Sequence, residues 1–157
     1  MRLNRITAVA AAALSAALST ALVAAPARAD AQPLPGRYLI GAEHGGCLRN
    51  GGGFNEKTFV GPCDTTWALT REHRGYSIRH EGTDHCLGVA LERIYPPRTA
   101  TLPCGHAGTG EWHFVERGPH LELILGDDAL TEAERGAPTL LLPAGRAQGQ
   151  HWYLRRV

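Results

Sequence analysis

Beyond its first thirty residues the chain is short of the parts from which most catalytic sites are made. One serine remains, Ser77, and it sits between Tyr76 and Ile78 in a strand-like alternation. The motif G-x-S-x-G is absent, so no serine occupies a nucleophile elbow. No C-x-x-C knuckle offers zinc a pair of thiolates, and none of the eight histidines belongs to an H-E-x-x-H pair, which would set two ligands on one helix face. Of these, His44, His85, His106 and His120 fall in expected turns, while His113 and His151 stand beside tryptophans at strand positions; all eight, with His73 and His80, are read as structural or solvated. Asp127 and Asp128 are adjacent, which on an extended chain points them to opposite faces and makes them poor partners for paired-carboxylate chemistry. The expectation is a protein that is not an enzyme and uses no cofactor and no metal.

What is present begins with an address. Arg2 and Arg5 precede an apolar stretch from Ile6 to about Ala25, and Ala27-Arg28-Ala29 supplies the small residues that flank a signal-peptidase cut. Residues 1–29 are therefore expected to be a secretory signal peptide rather than a membrane anchor, with a secreted, extracellular mature domain over residues 30–157. The leader takes three of the sixteen basic residues and none of the fifteen acidic ones, which leaves the mature domain a net charge of −2. With no basic run or stripe, neither nucleic acid nor an anionic membrane is an expected partner.

All four cysteines lie in the exported part, where an even count reads as disulfides. Aligning the chain on its tryptophans brings out three units of about forty residues, over residues 34–75, 76–118 and 119–157. They open at Tyr38-Leu39-Ile40, Tyr76-Ser77-Ile78 and Leu121-Glu122-Leu123. They continue through Cys47-Leu48, Cys86-Leu87 and Ala129-Leu130, then through Pro62-Cys63, Pro103-Cys104 and Pro143-Ala144. They close at Trp67, Trp112 and Trp152. The third unit has alanine at both cysteine positions. A joint loss is expected of two positions that face each other, so the predicted pairs are Cys47–Cys63 and Cys86–Cys104. Each closes a loop of 16 or 18 residues, worth roughly 3 kcal/mol in the chain-entropy model.

Short apolar alternations such as Tyr38/Ile40, Tyr76/Ile78 and Leu121/Leu123/Leu125, separated by Gly, Pro, Asn and Asp, predict strands joined by turns. The one helix-like stretch is Asp128 to Arg135, closed by Gly136 and Pro138. The fold class is all-β. Three such units are too few for a propeller of forty-residue blades, but they can close as a threefold barrel with a hairpin cap. The leucine after the first cysteine, the Pro-Cys pair and the closing Gln-x-Trp carry a resemblance to the ricin B-type β-trefoil family, over nearly all of residues 34–157.

That resemblance implies a sugar-binding module and names where its reading residues belong. An acidic residue two places after the first cysteine accepts sugar hydroxyls, and an aromatic ring just before Pro-Cys stacks on the sugar's apolar face. In this chain the acidic position holds Arg49, Gly88 and Thr131, and the stacking position holds Gly61, Leu102 and Leu142. The glutamine two before tryptophan survives only as Gln150. Fold-bearing residues are kept while sugar-reading ones are not, so carbohydrate binding is expected through a rebuilt site. Its candidate parts are Asn50, Phe54 and Asn55 in the glycine-rich loop of the first unit, Tyr95 in the second, Glu132, Glu134 and Arg135 in the third, and Gln150. The expected partner is a glycan or an extracellular protein. The alternative is a serine protease inhibitor: Pro35 to Ile40 is similar to the start of small fungal trefoil inhibitors, and Tyr95-Pro96-Pro97-Arg98-Thr99 is a proline-stiffened loop presenting Arg98.

Overall fold

The computed structural model describes residues 32–157, so the leader expected over residues 1–29 lies outside the described residues. Among the described residues there are thirteen strands and no helix. The strands are β1 (Gly36–Ala42), β2 (Cys47–Arg49), β3 (Glu56–Lys57), β4 (Phe59–Gly61), β5 (Trp67–Arg71), β6 (Tyr76–His80) and β7 (His85–Val89). They continue as β8 (Thr99–Pro103), β9 (Trp112–Arg117), β10 (His120–Leu125), β11 (Asp128–Thr131), β12 (Leu140–Pro143) and β13 (Trp152–Arg156).

Six of them form a closed antiparallel ring: β1 pairs β5, β5 pairs β6, β6 pairs β9, β9 pairs β10, β10 pairs β13, and β13 returns to β1. Closure removes the exposed edges that an open sheet of this size would present. Three two-stranded arms leave the ring, β2–β4 from β1, β7–β8 from β6 and β11–β12 from β10, and β3 adds to β8.

Trp67, Trp112 and Trp152 each open a ring strand and are fully buried. A buried indole N–H needs an acceptor, and each finds one in an arm. Nε1 donates to the carbonyl of Leu48, Leu87 and Leu130 respectively, at 2.9 Å in every case. The same three leucines put their side chains into the core. Disulfides join Cys47 to Cys63 and Cys86 to Cys104, the pairs expected from the joint loss in the third unit.

Where the arms meet, Thr58, Thr99 and Thr139 close a ring of their own. Their hydroxyls are mutually 2.5 Å apart and fully buried, so each can donate to one neighbour and accept from the other. The backbone repeats the cycle: Thr58 N–H donates to Thr99 O at 3.1 Å, Thr99 N–H to Thr139 O at 3.0 Å, and Thr139 N–H to Thr58 O at 2.9 Å.

Two expectations are corrected. The helix-like stretch from Asp128 to Arg135 is strand β11 followed by a turn. Ala129, Leu130 and Thr131 pair with Leu142, Leu141 and Leu140, and burial of Leu130 against the core outweighs the helical preference of Ala, Leu and Glu. Likewise His85 and His120 open strands instead of lying in turns.

Replacing Thr99 by valine keeps the shape but strands one neighbouring hydroxyl without a donor and the other without an acceptor. A loss of about 1–3 kcal/mol is expected, read as a lower urea midpoint at unchanged slope.

Candidate functional site

The β2–β4 arm is only three residues wide, and its register fixes what it presents. Leu48 points into the core, so by alternation Arg49 points outward, and Phe59, its direct partner across the ladder, goes with it. Gly61 lies two residues further along β4 and shares that face. Arg49 fills the space left by its missing side chain, since a Cβ on Gly61 would come 2.8 Å from Arg49 Cδ. The guanidinium then pairs with Asp64, Nε to Oδ1 3.1 Å, although both groups stay about half exposed.

Arg49, Phe59 and Gly61 border an open cavity of about 400 Å³, completed by Asn50, Glu56 and Arg135. Glu56 shapes its rim: one carboxylate oxygen accepts Gly51 N–H at 2.7 Å and the other accepts Gly53 N–H at 2.8 Å. On the far side of Arg49 a second cavity of about 400 Å³ is lined by Asp64, Thr65, His80 and Glu81. The first cavity joins an aromatic ring, a carboxylate and two guanidiniums in one shallow place. Such a set can stack on an apolar face while taking charged and hydroxyl groups at its edge.

The corresponding positions in the other two arms are closed. A Cβ on Gly88 would meet Gly108 O at 2.4 Å and Thr109 Cα at 2.8 Å, so no side chain fits there, and Leu102 is fully buried. Thr131 is buried, its hydroxyl donating to Ala129 O at 2.9 Å and accepting from Gln150 Nε2 at 3.2 Å.

The residues singled out from sequence scatter. Asn50 lines the cavity, but its amide is turned inward: Nδ2 donates to Thr101 Oγ1 at 2.7 Å and Glu56 O at 3.1 Å, and Oδ1 accepts Gly52 N–H at 2.9 Å. Gln150 is buried, its Nε2 directed to Thr131 Oγ1 and to the carbonyls of Leu142 and Pro143. Phe54 and Tyr95 are exposed, at 63% and 83%, on two neighbouring loops. Asn55 ties those loops together, its Oδ1 accepting Leu91 N–H at 3.0 Å, with an ion pair from Lys57 to Glu92 beside it. Glu134 is exposed and lines an adjacent cavity with His44, Val60, Glu132 and Arg135.

Arg98 is exposed, but its carbonyl accepts Ala90 N–H at 2.9 Å, its backbone bridges Leu140, and Pro97 O accepts Leu141 N–H at 2.8 Å. A protease-inhibiting loop must offer the carbonyl of its specificity residue to the enzyme's oxyanion hole. Here that carbonyl is already bound within the fold, and the inhibitor reading has no support in the loop's geometry. Sequence reasoning passed over Phe59 and took Arg49 and Gly61 as two losses. Their shared parity on paired strands was the signal that links them.

No protein-family model matches the chain, and neither does any curated protein. Solved structures do. A ricin B-like lectin from Macrolepiota procera, in complex with lactose, matches with TM-score 0.67 at 16% identity, covering 80% of this chain and 99% of its own. A salivary protein of the cysteine- and tryptophan-rich family from Culex quinquefasciatus matches with TM-score 0.67 at 13% identity, covering 79% of this chain and 95% of its own. A second structure from that family and species gives 0.62 at 13%, covering 80% and 96%. The likeness is one of fold. A lectin-type barrel is thus shared across sequences that keep little else in common, and the site must be argued from this chain's own residues.

Beside the site, Glu92 has its carboxyl held below the usual carboxylate range, chiefly by the hydrogen bond from Lys57 and next by a backbone hydrogen bond at Glu92 itself. A depressed carboxylate contributes above its unfolded value and loses that contribution as pH falls through the folded one. Lys57→Ala should return Glu92 upward toward the ordinary value, followed by the side-chain carboxyl shift in an NMR titration.

Proposed function

We propose that the chain is a secreted, non-catalytic β-trefoil, built of three repeats over residues 34–75, 76–118 and 119–157, that binds a glycan carrying an acidic group. The repeat assignment is supported by three tryptophan-to-leucine hydrogen bonds of equal length, three arms leaving one ring, and three threonines closing a cycle. Secretion is supported by the leader pattern and by two disulfides. The non-catalytic reading is supported by the bridging of all four cysteines and by the position of Ser77, the one serine of residues 30–157, inside strand β6.

The observation that carries the ligand class is the lining of the first-repeat cavity. It is bordered by Arg49 and Gly61, the residues at the two positions where the resemblance to the ricin-type family would put an acidic and a stacking residue. Phe59, two residues away on the same face, supplies an aromatic ring for the sugar's apolar side. Arg49 and Arg135 replace an acceptor of hydroxyls by donors suited to a carboxylate or sulfate, which a guanidinium can hold with paired hydrogen bonds. The lectin in the comparison is bound to lactose, a neutral sugar, whereas the two guanidiniums at this cavity favour an anionic one.

The test is a glycan array probed with residues 30–157, including uronate, sialylated and sulfated sugars beside neutral galactosides. Binding of acidic glycans is expected, weakening with salt and by about tenfold or more, or about 1.4 kcal/mol, in Phe59→Ala and in Arg135→Ala. Equal binding of neutral galactosides would remove the role given to the two arginines. Silence across the array would remove the carbohydrate reading altogether.

A further inference from the structure

Three chain segments meet at one corner of the ring, and the strand register decides which residues they bring. Trp152 pairs with Ala42 of β1 on one side and with Leu121 of β10 on the other. Their immediate neighbours Glu43, His151 and His120 therefore emerge together, with Glu43 N–H donating to His151 O at 3.1 Å. His151 Nδ1 lies 3.0 Å from Glu43 Oε2, and the rings of His120 and His151 stack with centroids 5.4 Å apart and planes 4° from parallel. One ligand atom from each of the three residues falls within 4.8 Å of the others.

We propose that Glu43, His120 and His151 form a binding site for a divalent transition-metal ion of the zinc type. The donor set argues the class. Two imidazoles and one carboxylate suit Zn²⁺, Cu²⁺ or Ni²⁺, whereas Ca²⁺ and Mg²⁺ select oxygen ligands throughout. Zinc bonds of about 2.0–2.1 Å in a tetrahedral site set ligand atoms roughly 3.3 Å apart. The widest separation here must close by about 1.5 Å, within the reach of side-chain rotation for groups that are partly exposed. Three protein ligands leave a fourth position open, and two of them, Glu43 and His151, line a cavity of about 610 Å³ together with Arg117 and Glu122.

A second observation supports the site. Glu122, only 2% exposed, lines the same cavity. Its Oε2 meets Arg117 in an ion pair at 3.0 Å that lacks hydrogen-bond geometry, so a buried carboxylate oxygen beside the site has no hydrogen-bond partner among the described residues. A cation bound nearby, or water on that cation, would satisfy it.

None of these residues lines the cavity assigned to the glycan, so the two readings stand or fall separately. Titration calorimetry of tag-free residues 30–157 with ZnCl₂ should give saturable binding of one equivalent. His120→Ala and His151→Ala should each weaken it by about tenfold or more. His106→Ala, a histidine outside the cluster, should leave it unchanged. Circular dichroism of each variant separates lost ligation from lost fold. As a second readout on the unaltered protein, Zn²⁺ should shift the ring signals of His120 and His151 ahead of those of the other histidines in NMR spectra. Absence of saturable binding, or binding that survives the His120→Ala/His151→Ala double variant, would overturn the proposal.

Discussion

A tryptophan can be buried whole only if its one polar atom is given a partner, and this barrel meets that demand three times in one way. The indoles of Trp67, Trp112 and Trp152 fill the core from ring strands, but their N–H groups are answered by leucine carbonyls on the arms. An indole moved by an ångström would lose both its packing and its hydrogen bond. Ring and arm are therefore held in a fixed relation, and everything outside, including the short β2–β4 ladder, inherits that placement.

On the first arm two facing positions are sterically coupled. Arg49 lies over Gly61 because glycine leaves it room, and a side chain at position 61 would meet Arg49 Cδ at 2.8 Å. Phe59 stands two residues from Gly61 on β4, the smallest step along a strand that keeps the same face. The result is a concave, open place on the first arm. The matching place on the second is sealed by the backbone of Gly108 and Thr109, and on the third by the Thr131–Gln150 contact.

Much of the fold could be read from the sequence because it depends on residues with one strong preference. The tryptophans marked the core, the cysteines paired as their joint absence from the third unit required, and alternation placed the strands. The threonine cycle was harder to see, since threonine is at home on any strand. Its signal was positional: Thr58, Thr99 and Thr139 each stand four residues before the proline of their unit. Asn50 and Gln150 carry the right chemistry for a ligand, yet burial turned their amides inward, and burial of a single polar side chain has no sequence signature. The approach of Glu43, His120 and His151 was illegible for another reason. It arises from two strand registers across more than a hundred residues of chain, and no local spacing encodes it.

The third arm holds itself shut without sulfur. Where the other two arms have a cystine, β11 and β12 are bridged by the Gln150 amide, reaching Thr131 on one strand and the carbonyls of Leu142 and Pro143 on the other. The molecule is thus unevenly sensitive to its chemical surroundings. A reducing environment reaches the fastenings of the first two arms and finds nothing to cut in the third, so the C-terminal third of the barrel keeps its closure whatever the redox state of the compartment it enters.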